Sequence, residues 1–140
     1  MKTLFVITAF LGLLATPARA RVGETVKQVE ERYGKPQRVL HERGSFREVG
    51  YGYRGFMVGV SYVAGVSKSE GFAKPDTPRL SNAEVQQILT LSLAPGTTWK
   101  PVSDKNGDRM WMRSDGKVVA FLSAQKFLQV QEKDFHQPTQ

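Results

Sequence analysis

The residues best suited to act as a general base in this sequence are its two histidines, His41 and His136. An imidazole titrates near neutral pH and, paired with a carboxylate, moves a proton during hydrolysis. His41 stands beside Glu42 in a segment that favours a strand, Glu48 follows it, and His136 falls in the polar C-terminal tail. A catalytic triad is recognised by geometry, and the sequence arranges no third partner. We therefore assign no catalytic residue and keep, as an alternative, a hydrolase of an envelope polymer that uses His41 and a nearby carboxylate.

A candidate metal site lies in residues 104–108, whose D-x-N-x-D pattern resembles the start of a calcium-binding loop. Asp115 falls at the twelfth position, where glutamate is the usual ligand, and Arg109 occupies the position that requires glycine. A hairpin turn between two strands explains the same residues. There is no cysteine to supply thiolate ligands, and no phosphate-binding or dinucleotide-binding motif is present. The sequence therefore predicts no metal site and no cofactor.

A tryptophan between two arginines is the strongest candidate for a binding surface. Alternate spacing places Arg109, Trp111 and Arg113 on one face of a predicted strand. Tryptophan and arginine are enriched at binding hot spots, and an arginine packs well against an indole ring. We predict that these three residues anchor a partner protein, with Met57 as a minor contact. The alternative is that Trp111 packs beneath the terminal segment 127–130 or against the other half of the chain.

Two cationic features suggest other ligands. Aromatic residues near Arg47 and Arg54 fit the stacking of single-stranded nucleic acid, but hairpin register places those rings in the core. We therefore predict no nucleic-acid partner. An anionic ligand with steep salt dependence remains a second alternative. It would use the basic cluster Arg32, Lys35, Arg38 and Arg43.

The first twenty residues have the order of a secretory signal peptide. Lys2 precedes an uncharged apolar run over residues 4–15, and Pro17 is followed by Ala18-Arg19-Ala20, which fits the small-residue cleavage pattern. The run is shorter than the roughly 20 residues that a membrane span needs. We predict cleavage after Ala20 and a periplasmic or secreted protein with no membrane span. Its net charge falls from +7 to +5 because Lys2 and Arg19 leave with the signal.

The remaining sequence alternates helix and hairpin signals. Capping boxes at Thr25 and Ser81 predict two helices, and turn pairs such as Asp115-Gly116 predict antiparallel strands after each helix. We predict an α+β fold of two tandem helix-plus-antiparallel-meander repeats, with the helices on one face of the sheet. Residues 21–74 would form the first repeat, 75–79 a linker, 80–134 the second repeat and 135–140 a disordered tail.

Turn positions also predict which side chains share a sheet face. The Asp115-Gly116 turn places Met112 opposite Val119 and Met110 opposite Phe121, which we interpret as the core face of the second repeat. The Arg54-Gly55 turn gives the first repeat an aromatic and aliphatic core face. Its other face carries bare glycine beside Met57, where another backbone could approach closely. The core residues of the first repeat are Val49, Tyr51, Tyr53, Phe56, Val58 and Val60.

A short motif suggests a family. Residues 22–25, then Val29 and 34–36, resemble the G-x-T-x-x-x-V…G-x-P helix motif of small bacterial envelope domains, which the SmpA/OmlA family of outer-membrane assembly lipoproteins has. The helix-then-meander order of most of the chain is similar to BLIP-like proteins, the family of β-lactamase inhibitory protein. The resemblance implies a BLIP-like α+β fold and a protein-binding role. We therefore expect a secreted or periplasmic, non-enzymatic module that binds another envelope or secreted protein through an exposed sheet face.

Overall fold

The computed structural model describes residues 22–106 and 108–139. The predicted signal peptide, residues 1–20, lies outside this part of the chain. Two helices and eight strands are present in the described residues. In chain order they are α1 (Val26–Tyr33), β1 (Arg38–Arg43), β2 (Phe46–Tyr53), β3 (Phe56–Val63), β4 (Val66–Ala73), α2 (Asn82–Leu91), β5 (Trp99–Lys105), β6 (Asp108–Arg113), β7 (Val118–Ser123) and β8 (Phe127–Glu132).

All eight strands belong to one antiparallel sheet in the order β1-β2-β3-β4-β8-β7-β6-β5. The central joint is the pairing of β4 with β8, which runs from Ser69 opposite Gln131 to Phe72 opposite Leu128. The predicted fold class, an α+β fold of two tandem helix-plus-meander repeats, is wrong. The protein is mostly one continuous sheet with two short helices, because backbone pairing between β4 and β8 joins all the strands.

Both helices begin where the sequence predicted. The Thr25 hydroxyl accepts the backbone N–H of Gln28, whose side chain accepts the N–H of Thr25, and Ser81 and Glu84 repeat the arrangement in α2. These reciprocal bonds satisfy N–H groups that the first turn of a helix otherwise leaves without partners. Helices of this length are marginal alone, so packing against the sheet must stabilise them.

The core lies between the sheet and the two helices. From the helices it receives Val29, Tyr33, Val85, Ile88 and Leu89, all of which are buried. The sheet contributes one set of alternating side chains, as period-two strands require. We call the sheet face that these side chains form the helix-covered face, and its opposite the open face. The helix-covered set includes Val49, Tyr51, Phe56, Val58, Val60, Phe72, Trp111, Ala120, Leu122, Leu128 and Val130.

The predicted registers are right for two hairpins, but one predicted face is wrong. Tyr53 pairs with Phe56, and Met110 pairs with Phe121, as the turns indicated. However, Trp111 is only 3% exposed and packs in the core, while Phe121 lies on the open face and is 36% exposed. Our interpretation of Met110, Met112, Val119 and Phe121 as the core face of the second half is therefore wrong. The helices cover the other side of β6 and β7.

An ionic cluster fastens α1 to β4 inside the core. The Arg32 guanidinium donates to Glu70 at 2.7 Å and also to Glu24, while the Tyr33 hydroxyl donates to Glu70 at 3.0 Å. Glu70 is 1% exposed. Burial raises the pKa of Glu70 against the opposing effect of Arg32, and burial raises the pKa of Tyr33 above its usual range. A buried charge needs such partners, so the cluster fixes the position of α1 on the sheet.

The helices of the described residues are too short for a bilayer. None of them combines the length and the apolar character that a membrane-spanning helix requires.

Candidate binding site on the open sheet face

A groove of about 580 Å³ lies on the open face, over strands β1, β2, β3, β4 and β8. Its floor is built from small residues at facing positions of neighbouring strands. Gly59 of β3 pairs with Gly71 of β4, and Ser61 pairs with Ser69 two residues further along, on the same face of these strands. We call this depression the open-face groove. Its lining comprises Gln37, Arg38, Leu40, Glu48, Met57, Val58, Gly59, Ser61, Ser69, Gly71, Ala73, Phe127, Gln129 and Gln137.

A row of glycines crosses three strands, and two of them give the groove its depth. Gly59 pairs with Gly71 and both lie on the floor, whereas Gly50, opposite Gly59 on β2, lies beneath Leu40 and outside the groove lining. Glycine weakens a strand interior and often marks a place where another group approaches the backbone. The open-face groove is therefore a site where a ligand can contact the sheet backbone directly.

Three large apolar side chains form walls around this floor. Met57 is 51% exposed, Leu40 42% and Phe127 40%. Leu40 sits at the irregularity of β1, where the pairing with β2 shifts between Val39 and His41. Its side chain reaches over the glycine row, since Cδ1 would lie 3.7 Å from a Cβ placed on Gly50. Exposed apolar surface grouped in a groove is a common property of ligand and protein sites.

Polar groups line the rim of the groove. The Gln137 amide donates to Glu48 Oε2 at 3.4 Å, and the Gln129 amide donates to Ser69 at 2.9 Å and to Gln131 at 2.8 Å. Glu48 Oε1 points toward the floor, at 3.7 Å from the position of a Cβ on Gly59. The groove thus combines apolar walls with a carboxylate acceptor, which is the usual composition of a selective pocket.

The structure separates the four residues that the sequence predicted as a binding surface. Met57 forms part of the wall of the open-face groove, and about half of its surface is exposed. Trp111 is buried in the core, and Arg109 lies over its ring at 4.7 Å from the centroid. Arg113 is 8% exposed and donates to Asp115 at 2.7 Å. Placing Trp111 and Arg113 on an exposed face was therefore wrong, because their strand face is the one that α2 covers.

Arg113 and its neighbours form a structural clamp at the end of β6. The guanidinium donates to both carboxylate oxygens of Asp115 and reaches the carbonyl of Ser92, beyond the C-terminal end of α2, at 3.5 Å. Hydrogen bonds from Arg113 hold the pKa of Asp115 below its usual range. The Trp99 indole N–H donates to the carbonyl of Leu89 at 2.6 Å. These contacts join α2 to the sheet.

The alternative sites take these positions. His41 is exposed on β1, opposite Glu48 in the strand pairing, and its ring lies 5.8 Å from that of Phe46. Asp104 and Asp108 belong to the β5–β6 hairpin, where Asp108 accepts the N–H of Ala124. Within residues 22–106 and 108–139, no group of three or more histidine, aspartate or glutamate side chains is arranged to hold a metal ion.

The basic cluster that we considered for an anionic ligand is divided. The Arg32 side chain is 4% exposed and is paired with Glu24 and Glu70. Lys35, Arg38 and Arg43 are exposed. The cluster therefore does not present four cations to one ligand.

Sequence reasoning missed Leu40, Phe127 and Glu48 as groove residues. It did identify bare glycine beside Met57 on one face of β2 and β3, which was the available signal. The sequence could not predict Phe127 as a groove residue, because its position depends on the pairing of β4 with β8. This pairing places Gln129 opposite Gly71 and the Phe127 ring over that glycine. No turn in the sequence connects these two strands.

Comparison with protein-family models and with curated protein sequences gave no match. Among solved structures, the chain is similar to a cysteine-rich secretory protein from Staphylococcus aureus, with a TM-score of 0.46 and 15% sequence identity. The similarity covers 81% of this chain and 45% of that protein, so this chain spans less than half its length.

Proposed function

We propose that this protein is a secreted or periplasmic, non-enzymatic binding module whose open-face groove contacts another protein. The observation that carries the proposal is the open-face groove, where Leu40, Met57 and Phe127 stay exposed around a floor of glycines and serines. A protein needs no such arrangement for folding, since the helix-covered face already supplies its core. Grouped exposed apolar residues are energetically unfavourable in water and are kept where a partner covers them.

The shape of the groove favours a protruding segment of a partner. A glycine floor permits close approach of a main chain or a ring, and apolar walls supply the buried area that anchors a contact. The rim amides and Glu48 offer hydrogen bonds that orient such a segment.

The sequence supports the cellular setting. The signal-peptide pattern of residues 1–20 favours export, so the partner we propose lies outside the cytoplasm, in the envelope or the medium. The resemblance of residues 22–36 to the helix motif of envelope domains agrees with this choice. We propose no nucleic-acid partner and no enzymatic role.

The test is capture of partners from the cells that make the protein, with matched variants. Leu40→Ser/Met57→Ser alters two walls of the open-face groove, and Gln86→Ser/Gln87→Ser alters exposed positions of α2 on the other side of the sheet. We expect one protein to be retained equally by the wild type and the α2 variant, and at least tenfold less by the groove variant. Equal retention by all three would contradict the proposal.

A further inference from the structure

We propose that the open-face groove is a slot for an aromatic ring that carries a hydrogen-bond donor, and that its natural occupant is a tyrosine side chain of the partner. This inference rests on the proposed function. It adds the chemistry of the group that the groove recognises.

The first support is an aromatic ring of the chain itself on the same floor. The Phe127 ring lies on the bare backbone of Gly71, so closely that a Cβ added to Gly71 would stand 2.8 Å from Cε2. Packing of an aromatic ring over a glycine in a sheet is favourable, because the ring covers backbone that would otherwise face water. The floor of the groove therefore already binds one ring in this manner.

The second support is the neighbouring position. Gly59 pairs directly with Gly71, but no ring lies on it. A Cβ on Gly59 would meet only Glu48 Oε1 at 3.7 Å and Leu40 Cδ1 at 4.0 Å. Gly59 therefore offers the same bare backbone as Gly71, but it is bordered by a carboxylate oxygen and a leucine methyl group at van der Waals distance instead of being covered by a ring.

The walls suit the faces and edge of a ring. Phe127 lies across the next strand, Leu40 approaches from β1, and Met57 is two residues from Gly59 on the same strand face. Aromatic rings pack favourably edge-to-face, and a thioether sulfur makes favourable contacts with a ring. A second ring on Gly59 would thus contact one aromatic and two aliphatic side chains.

The carboxylate of Glu48 selects the ring's substituent. Its Oε1 faces Gly59, while Oε2 accepts from Gln137. A carboxylate accepts hydrogen bonds and gives none when ionised. A phenol O–H beside it would make a charge-assisted hydrogen bond, whereas an unsubstituted ring would desolvate Oε1 without giving it a hydrogen bond. This asymmetry favours tyrosine over phenylalanine.

The experiment is a titration of the isotope-labelled protein with N-acetyl-tyrosinamide, followed by the amide signals in NMR. We expect saturable shifts centred on Gly59, Gly71 and Glu48. N-acetyl-phenylalaninamide should bind at least threefold more weakly, and N-acetyl-leucinamide at least tenfold more weakly. Equal binding of the leucine and tyrosine probes, or no saturable shift near Gly59, would overturn the aromatic slot.

Two glycine variants form a matched pair. Gly59→Ala places a methyl group on the floor, and Gly50→Ala makes the same change one strand away, beneath Leu40 and outside the groove lining. Each added Cβ would have nearest contacts of 3.7 Å, which is ordinary van der Waals distance, so both variants should fold. We expect Gly59→Ala to lower the affinity for the tyrosine probe at least fivefold and Gly50→Ala to leave that affinity unchanged. Unchanged binding in both variants would contradict the slot.

A third variant tests the selectivity. Glu48→Gln should reduce the preference for the tyrosine probe over the phenylalanine probe to less than twofold. An unchanged preference would assign the selectivity elsewhere and overturn the role of Glu48. If the capture experiment succeeds while these titrations fail, the binding module stands and the aromatic slot is wrong. If both fail, the open-face groove is not a binding site.

Discussion

The two faces of the sheet carry similar kinds of side chain but experience opposite environments. On the helix-covered face, Tyr51 and Phe72 are almost fully buried beneath two helices. On the open face, Phe127 and Phe121 are about as large and apolar, yet each keeps more than a third of its surface exposed. Alternating hydrophobicity alone therefore does not identify the core of this protein. The position of α1 and α2 decides which face becomes the core and which stays open.

The largest expected effect is on the helix-covered face. Trp111→Ala removes a buried indole and leaves a cavity in the core, so we expect a loss of about 3–5 kcal/mol in the free energy of unfolding. Urea denaturation followed by circular dichroism measures it. A loss below about 1 kcal/mol would mean that Trp111 is not in the core.

The next effect concerns the buried ionic cluster. Arg32→Met leaves the carboxylate of Glu70 without its cationic partner, so we expect a loss of about 3 kcal/mol. Lys68→Met is the control, because the Lys68–Glu132 pair is partly exposed and should contribute about 0–1 kcal/mol. Equal losses in the two variants, measured by the same urea titration, would contradict the special role of the buried pair.

A smaller effect depends on pH. Hydrogen bonds from Arg113 lower the pKa of Asp115, so the folded state binds this proton less tightly than the unfolded state does. The contribution of Asp115 is therefore present above the usual range of its pKa and is lost as the pH falls through the folded value. Asp115→Asn should lower stability near neutral pH by up to about 1 kcal/mol and flatten the acid side of the stability curve. Urea titrations at a series of pH values measure both.

Asp134→Asn is the control for this prediction, since Asp134 is exposed beyond the end of β8. If the stability of Asp115→Asn falls with acid as steeply as that of the wild type, Asp115 does not contribute to the pH dependence. The wild-type slope in Asp134→Asn is the expected outcome.

The smallest effect on stability belongs to the open face. Met57→Ala removes a side chain that is half exposed, so the free energy of unfolding should change by less than about 0.5 kcal/mol. The same variant should weaken binding of the captured partner by about 1 kcal/mol or more, because part of the groove wall is lost. Calorimetry with the purified partner measures the binding term. A stability loss as large as that of Trp111→Ala would make Met57 a core residue and cancel the contrast between the faces.

The local parts of the fold were predictable from the sequence. Thr25 and Ser81 marked the helix starts, and the Arg54-Gly55 turn fixed the pairing of Tyr53 with Phe56. Each of these features depends on residues within one turn of one another. Capping and hairpin geometry are local, so the sequence signals for them are strong.

The non-local parts were not predictable. In β7, Val118, Ala120 and Leu122 alternate with Val119 and Phe121, so both faces of this strand are apolar and the pattern does not choose between them. The helices make that choice through contacts distant in sequence. The union of β4 with β8 is equally non-local, and it turned two expected repeats into one sheet.

The candidate site shows the same division. Met57 and the bare glycines were visible as a pattern on neighbouring strands, whereas Leu40 depended on an irregularity in β1 and Phe127 on the central strand pairing. The sequence predicted Trp111 on an exposed face because tryptophan and arginine at alternate strand positions occur both on binding surfaces and in cores where the arginine is paired. Only the helix position separates the two.

The most direct test of the account is site-specific photo-cross-linking in the cells that make the protein. A photoreactive phenylalanine analogue is placed at Met57, on the wall of the open-face groove, or at Gln86, an exposed position of α2. We predict one discrete cross-linked protein from Met57 and none of the same size from Gln86. The same product from both positions, or a product from Gln86 alone, would contradict the claim that the open face is the binding surface.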